Sequence, residues 1–183
     1  MNTLEIIEKY YPHGSELYYI LTKHSEQVMN KALSIANKHP EMQLDLQFIE
    51  EAAMLHDIGI FRCNAPRIHC HGPNQYIQHG YLGADILRKE GLPRHALVCE
   101  RHTGVGLSLK TIQFNGLPLP LRDMLPLSLE EQLICYADKF YSKTQLLETH
   151  SLERIRTSLR HFGESEVKRF DQWHLLFEPN QLV

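Results

Sequence analysis

Histidine is the commonest metal ligand among side chains and a frequent acid–base group. This sequence carries twelve histidines in 183 residues. Their positions say more than their number. On helical periodicity, His24 falls on one stripe with Leu17, Leu21, Val28, Ala32 and Ile35. His56 falls with Phe48, Ile49, Ala52 and Ala53, and His79 with Tyr76, Gly83 and Ile86. His102 also occupies a position where a core residue belongs. Asp138 shares a face with Ile134 and Tyr141, and Asp57 directly follows His56. A single histidine on an apolar face is ordinarily a satisfied core residue, and a His-Asp dipeptide alone means little. A buried carboxylate, however, is costly unless it is paired, hydrogen-bonded or metal-bound. Six such residues on five helices are best satisfied by converging. Four imidazoles and two carboxylates form a nitrogen–oxygen ligand set that suits divalent iron, manganese, zinc, cobalt or nickel. Asp57 can offer one oxygen to each of two ions, and ions about 3.5–4 Å apart are the usual arrangement for phosphoester hydrolysis.

The ordered set resembles the HD-domain superfamily of metal-dependent phosphohydrolases, in the branch with the order H…HD…H…H…D. It reads Lys23-His24-Ser25, Leu55-His56-Asp57-Ile58-Gly59, Gln78-His79-Gly80, Arg101-His102-Thr103 and Ala137-Asp138-Lys139. The stretch His56-Asp57-Ile58-Gly59 is the form that names the HDIG subgroup. The resemblance spans residues 17–141 and implies an all-α, single-domain helical bundle. It implies that His24, His56, Asp57 and Asp138 hold one metal ion, and that His79 and His102, sharing Asp57, hold a second. Bacterial diadenosine tetraphosphate hydrolases and, more distantly, cyclic dinucleotide phosphodiesterases share this order. Those groups usually carry a lysine shortly after the HD pair, where this sequence has Ile60. A phosphate-facing or proton-transferring group is thus missing there, and Lys139, Arg62, Arg101 or Lys23 could replace it. The expected function is cleavage of a nucleotide or other small phosphoester by a metal-activated hydroxide, with Asp57, Lys139 and Arg101 as catalytic candidates. Lys139 and Arg101 each adjoin an expected ligand and would neutralise charge on nonbridging phosphoryl oxygens. Two alternatives share the ligand order or the fold: a di-iron oxygenase, and a nucleotide-sensing module that does not cleave.

The elements that must position these residues are helical. Periodicity, caps and breakers predict helices over 4–10, 15–38 with Ser15 as N-cap, 45–57 ended by Gly59, 75–90 closed by Gly91, and 93–102 ended by Gly104. Ser128 followed by Glu131 is a capping-box signature for a helix reaching Tyr141. Amphipathic helices over 152–162 and 165–177 carry no evident chemistry and complete the bundle. Residues 58–74 form a loop. Residues 103–127, with three glycines and three prolines, form a long loop expected to act as a lid. The tract His69-Cys70-His71 has metal-binding composition, but its ligands are too close together to make a full site alone. Gly104-Val105-Gly106 lacks the length of a phosphate-binding loop.

Composition sets the outer bounds. Hydrophobic residues make up 43 % and charged residues 22 %, which is ordinary globular usage and predicts one domain over 1–183. A net charge of −3 argues against an extended nucleic-acid surface. No apolar run reaches the length of a membrane helix and no signal peptide is evident, so the expected compartment is the cytoplasm. Cys63, Cys70, Cys99 and Cys135 form no Cys-x-x-Cys pair and are expected to be reduced thiols.

Overall fold

A computed structural model of the chain describes residues 1–179; the last four positions of the 1–183 expectation lie outside the described residues. The architecture is all-α. The helices are α1 (Thr3–Glu8), α2 (Glu16–Lys38), α3 (Leu46–Leu55), α4 (His79–Lys89), α5 (Pro93–Arg101), α6 (Leu109–Phe114), α7 (Leu129–Asp138), α8 (Leu152–Arg160) and α9 (Glu164–Phe177). Local sequence explains where they start. The side chains of Ser15, Asp45, Ser128 and Ser151 each accept the backbone N–H three residues on, satisfying a donor that the first turn leaves orphaned. Pro93 opens α5, where its missing N–H costs nothing. Among the described residues, no helix is long and apolar enough to cross a membrane.

The long helix α2 is shared by two cores. On one side Val28, Ala32 and Ile35 pack with Ile49 of α3, Leu133 and Ile134 of α7, and Phe170, Trp173 and Phe177 of α9. On the other, Leu21 joins Ile7 and Tyr11 with Leu55, Ile58, Ile60 and Leu87. Ile60 is fully buried in this second core.

Three glycines set the spacing around the HD pair. Helix α3 ends at Leu55 with His56 as its C-cap, so Gly59 does not end it, contrary to the sequence expectation. Gly59 has an ordinary right-handed backbone, φ −87°. Its role is close approach: a Cβ there would lie 2.2 Å from the His79 carbonyl oxygen and 2.5 Å from Gly83 N. A Cβ on Gly83 would lie 2.6 Å from Cys99 Sγ, and one on Gly80 would lie 2.5 Å from the Cys99 carbonyl oxygen. The turn after α3, helix α4 and helix α5 therefore meet backbone to backbone.

The two expected loops are more ordered than their composition suggests. Residues 58–74 contain short 3-10 turns and a hairpin of β1 (Asn64–Ala65) with β2 (Cys70–His71), paired antiparallel as Asn64 to His71 and Ala65 to Cys70. Residues 103–127 contain α6, capped by Ser108, and build a small core of Leu107, Ile112, Leu119 and Met124 against Ile77, Tyr81 and Phe162. All four cysteines are buried free thiols.

Candidate metal centre

Helix ends supply most of the centre. His24 projects from the middle of α2, His56 caps α3, and Asp57 follows it. His79 opens α4, His102 caps α5, and Asp138 is the last residue of α7. All six are buried, between 0 and 8 % exposed. They converge on Asp57. Its Oδ2 lies 3.2 Å from His24 Nε2 and 3.1 Å from His56 Nε2. Those imidazoles also approach Asp138 Oδ1, at 2.9 and 3.5 Å. The other Asp57 oxygen, Oδ1, lies 3.2 Å from His79 Nε2 and 3.4 Å from His102 Nε2. Two groups able to hold an ion result, His24–His56–Asp57–Asp138 and Asp57–His79–His102, joined at one carboxylate.

The ring orientations suit a ligand set. Nδ1 of His56 donates to the Ala53 carbonyl at 2.6 Å, Nδ1 of His79 to Tyr76 at 2.6 Å, and Nδ1 of His102 to Cys99 at 2.8 Å. A neutral imidazole that donates through Nδ1 carries a lone pair on Nε2. The three Nε2 atoms face carboxylate oxygens and one another, with Nε2 of His79 and His102 3.0 Å apart. Acceptors aimed at acceptors in a dry site need a cation between them. His56 Nε2 and Asp57 Oδ1 are close to these groups in distance, yet neither has a hydrogen-bonding partner in acceptable geometry among the described residues, and Asp57 Oδ2 is met by an ammonium group. The residues present thus fit divalent ions.

Two lysines face the same carboxylates. Lys143 Nζ lies 2.5 Å from Asp57 Oδ2. Lys139 Nζ lies 2.8 Å from Asp138 Oδ2 and 3.3 Å from the His102 carbonyl oxygen. Burial alone would raise the Asp57 pKa, but the charges of Lys143 and His56 outweigh it and hold the carboxyl well below its usual range. For Asp138, burial is outweighed in the same way by Lys139 and its bond from His24. Burial would lower the Lys143 pKa, and Asp57 reverses that, leaving it raised. His102 is pushed down to about 4, chiefly by burial, which keeps its ring neutral. Against burial, the Asp57 charge lifts His56 to about 9.

Other candidates lie elsewhere. Arg101 is held on Glu131 at 2.8 Å, away from the carboxylates of the centre. Lys23 pairs with Glu26 at the surface, and Arg62 is exposed. In the His69-Cys70-His71 tract, Cys70 points into the core while both histidines are exposed, so the three cannot meet at one ion. Sequence reasoning missed Lys143. Its one signal is the four-residue spacing from Lys139, which would place both on one face had α7 continued.

A cavity of about 590 Å³ opens beside Asp138. Lys139, Lys143, Arg67 and Arg154 give its wall four cationic side chains, and Tyr76 and Tyr141 add aromatic surface. The Tyr76 ring stacks on His79 with centroids 4.6 Å apart. Among the described residues, the lining comes from 65–68, 76, 138, 139, 141–144, 150 and α8. The 103–127 segment supplies none of it, so the lid expected there is not seen; its Leu107, Ile112, Leu119 and Met124 are spent on a small core of their own.

The HD-domain family model matches residues 21–142, and the chain belongs to that family. It is 37 % identical over 125 residues to an uncharacterised protein of Methanocaldococcus jannaschii, covering 68 % of this chain and 65 % of that protein. It is 30 % identical over 155 residues to a tRNA (cytidine(56)-2'-O)-methyltransferase of Picrophilus torridus, covering 84 % of this chain and 41 % of the enzyme. The corresponding methyltransferase of Thermoplasma volcanium is 29 % identical over 166 residues, covering 90 % and 43 %. The chain therefore spans 65 % or less of the length of these relatives. Among solved structures, the HD domain of the Listeria monocytogenes phosphodiesterase PgpH superimposes with a TM-score of 0.52 at 16 % identity, over 93 % of this chain and 94 % of that one. The same domain in complex with cyclic-di-AMP gives 0.52 at 16 % identity over 94 % of each. At that identity the likeness is one of fold.

Proposed function

We propose that the chain is a metal-dependent phosphohydrolase acting on a nucleotide or another small phosphoester. One observation carries this reading: both oxygens of the buried Asp57 face their own imidazole Nε2 atoms, next to a cavity walled by cations. On this reading His24, His56, Asp57 and Asp138 hold one divalent ion, and Asp57, His79 and His102 hold the second. Ions held there would supply a water of lowered pKa and Lewis-acid neutralisation of phosphoryl oxygens. The remaining work falls to the chain itself. The three Nδ1–H bonds to backbone carbonyls keep each Nε2 lone pair turned on the centre. Lys139 stays on the far oxygen of Asp138, and Lys143, Arg67 and Arg154 offer charge to phosphate in the cavity. Lys143 takes the part first given to Arg101, whose guanidinium is committed to Glu131. The structural relative solved with cyclic-di-AMP and the tyrosines of the cavity support a nucleotide as substrate.

The test is phosphate or nucleotide release from a panel of linear, polyphosphorylated and cyclic nucleotides by manganese-reconstituted protein without oxygen. Release is expected, and Asp57→Ala should reduce it to background while the helical circular dichroism is retained. Turnover that requires oxygen and frees no phosphate would assign the chain to the oxygenases. Nucleotide binding without cleavage would make it a sensor.

A further inference from the structure

We infer that Lys143 is the resident cation of the metal-free centre, holding Asp57 until an ion takes that carboxylate and then serving as a cavity-wall donor to substrate phosphate. The inference rests on the metal-centre reading above. Three observations carry it. The first is position. Lys143 Nζ is 2.5 Å from Asp57 Oδ2, the same oxygen that His24 and His56 approach through Nε2 at 3.2 and 3.1 Å. An ion held by those imidazoles needs the oxygen that the ammonium already uses. Two cations on one buried oxygen repel strongly.

The second observation is charge balance. Asp57 and Asp138 bring two negative charges, and Lys139 and Lys143 bring two positive ones through direct pairs. These two ammonium groups alone already match the charge of the two carboxylates without an ion. A divalent ion leaves an excess of positive charge, which is relieved by releasing a lysine or admitting an anion. A substrate phosphate met by a released lysine does both.

The third is that the two lysines are not equivalent. Lys139 pairs with Asp138 through Oδ2, whereas the imidazoles approach that carboxylate through Oδ1, so Lys139 can stay where it is. Lys143 stands five residues beyond the end of α7, in irregular backbone, and lines the cavity with Tyr76. Its long flexible stem gives the ammonium somewhere to go. With Ile60 committed to the second core, this lysine reaches the HD aspartate from the opposite end of the sequence motif.

Manganese titration of the metal-free full chain, with free ion followed by electron paramagnetic resonance, tests this. Lys143→Met should bind the ion about 5- to 150-fold more tightly than the unmutated chain, the span of an ordinary coupling between two ligands. Lys139→Met should show no such tightening. Equal or weaker binding by Lys143→Met overturns the inference while leaving the metal centre standing. An unmutated chain that takes up no manganese, iron or zinc sinks the centre and the inference together. A second measurement needs no variant. Acetylation of Lys143, read by mass spectrometry, should rise when manganese is added to the unmutated protein, while that of Lys139 does not. Unchanged or reduced labelling of Lys143 counts against its release.

Discussion

A histidine at the end of a helical turn can serve the backbone and a ligand at once. The last carbonyls of a helix lack intrahelical partners. His56, His79 and His102 each return Nδ1–H to the carbonyl three residues back, so one ring satisfies the chain and fixes its own Nε2 on the centre. His24, in mid-helix, has no such carbonyl to use, and its Nε2 is placed by Asp138 at 2.9 Å. The two ion-holding groups should therefore fail separately. Elemental analysis of reconstituted protein is expected to give two metal equivalents per chain, one after His79→Ala or His24→Ala, and close to none after Asp57→Ala. A single equivalent in the unmutated chain would reduce the centre to one ion. Five of these residues were legible in the sequence because each sits where a core residue belongs, and Asp57 because it follows His56 in the ordered set. Lys143 was not legible. It follows the end of α7, where no periodicity says which way a side chain points, and only the fold carries it back to Asp57.

At the scale of elements, the centre depends on how closely three backbones approach. The turn after α3 rests on α4 at Gly59 and Gly83, and α4 rests on α5 at Gly80 and Gly83. These contacts set His56, His79 and His102 within reach of one carboxylate. A methyl at Gly59 would meet backbone atoms at 2.2 and 2.5 Å, which cannot rotate away as a flexible side chain can. Gly59→Ala is thus expected to cost about 1–3 kcal/mol by overpacking. That corresponds to a melting point lower by about 2–12 °C for a chain of this size, measured by circular dichroism in chelator so that metal does not mask the effect. The same variant should take up metal less tightly, because the helices that carry the ligands are pushed apart. An unchanged melting point would mean that the backbones separate without penalty. In the sequence, Gly59 resembles a helix stop, because a contact glycine and a terminating glycine look alike until the opposing backbone is known. Helix α6 was hidden for a different reason. It is six residues long, too short to show a period, and sits among glycines and prolines that signal a loop.

Across the whole molecule, the two C-terminal helices do more than complete the bundle. The HD-family match ends at residue 142, yet α8 contributes Arg154, Ile155, Ser158 and Leu159 to the wall of the cavity. Ile155 and Leu159 face the main core as well, together with Val167, Phe170 and Trp173 of α9. Amphipathicity made both helices visible in the sequence, but not that one of them borders the site. Glu178, just past α9, fastens α9 to the helices that carry His24 and Asp138. It accepts from Lys31 of α2 at 2.9 Å and from the Tyr136 hydroxyl of α7 at 2.7 Å. Burial would raise its pKa, but these two donors outweigh burial and hold it below the ordinary carboxyl value. A carboxyl depressed in the folded state stabilises fully above its unfolded value of about 4.3 and loses that contribution as pH falls through the folded value. Glu178→Gln keeps the shape and removes the charge. In chelator, urea unfolding should find it about 1–2 kcal/mol less stable than the unmutated chain at pH 7, with the gap narrowing below about pH 4. A gap that stays constant from neutral to acid pH would mean that the carboxylate charge does not hold α9 to α2 and α7, leaving that junction to apolar packing alone.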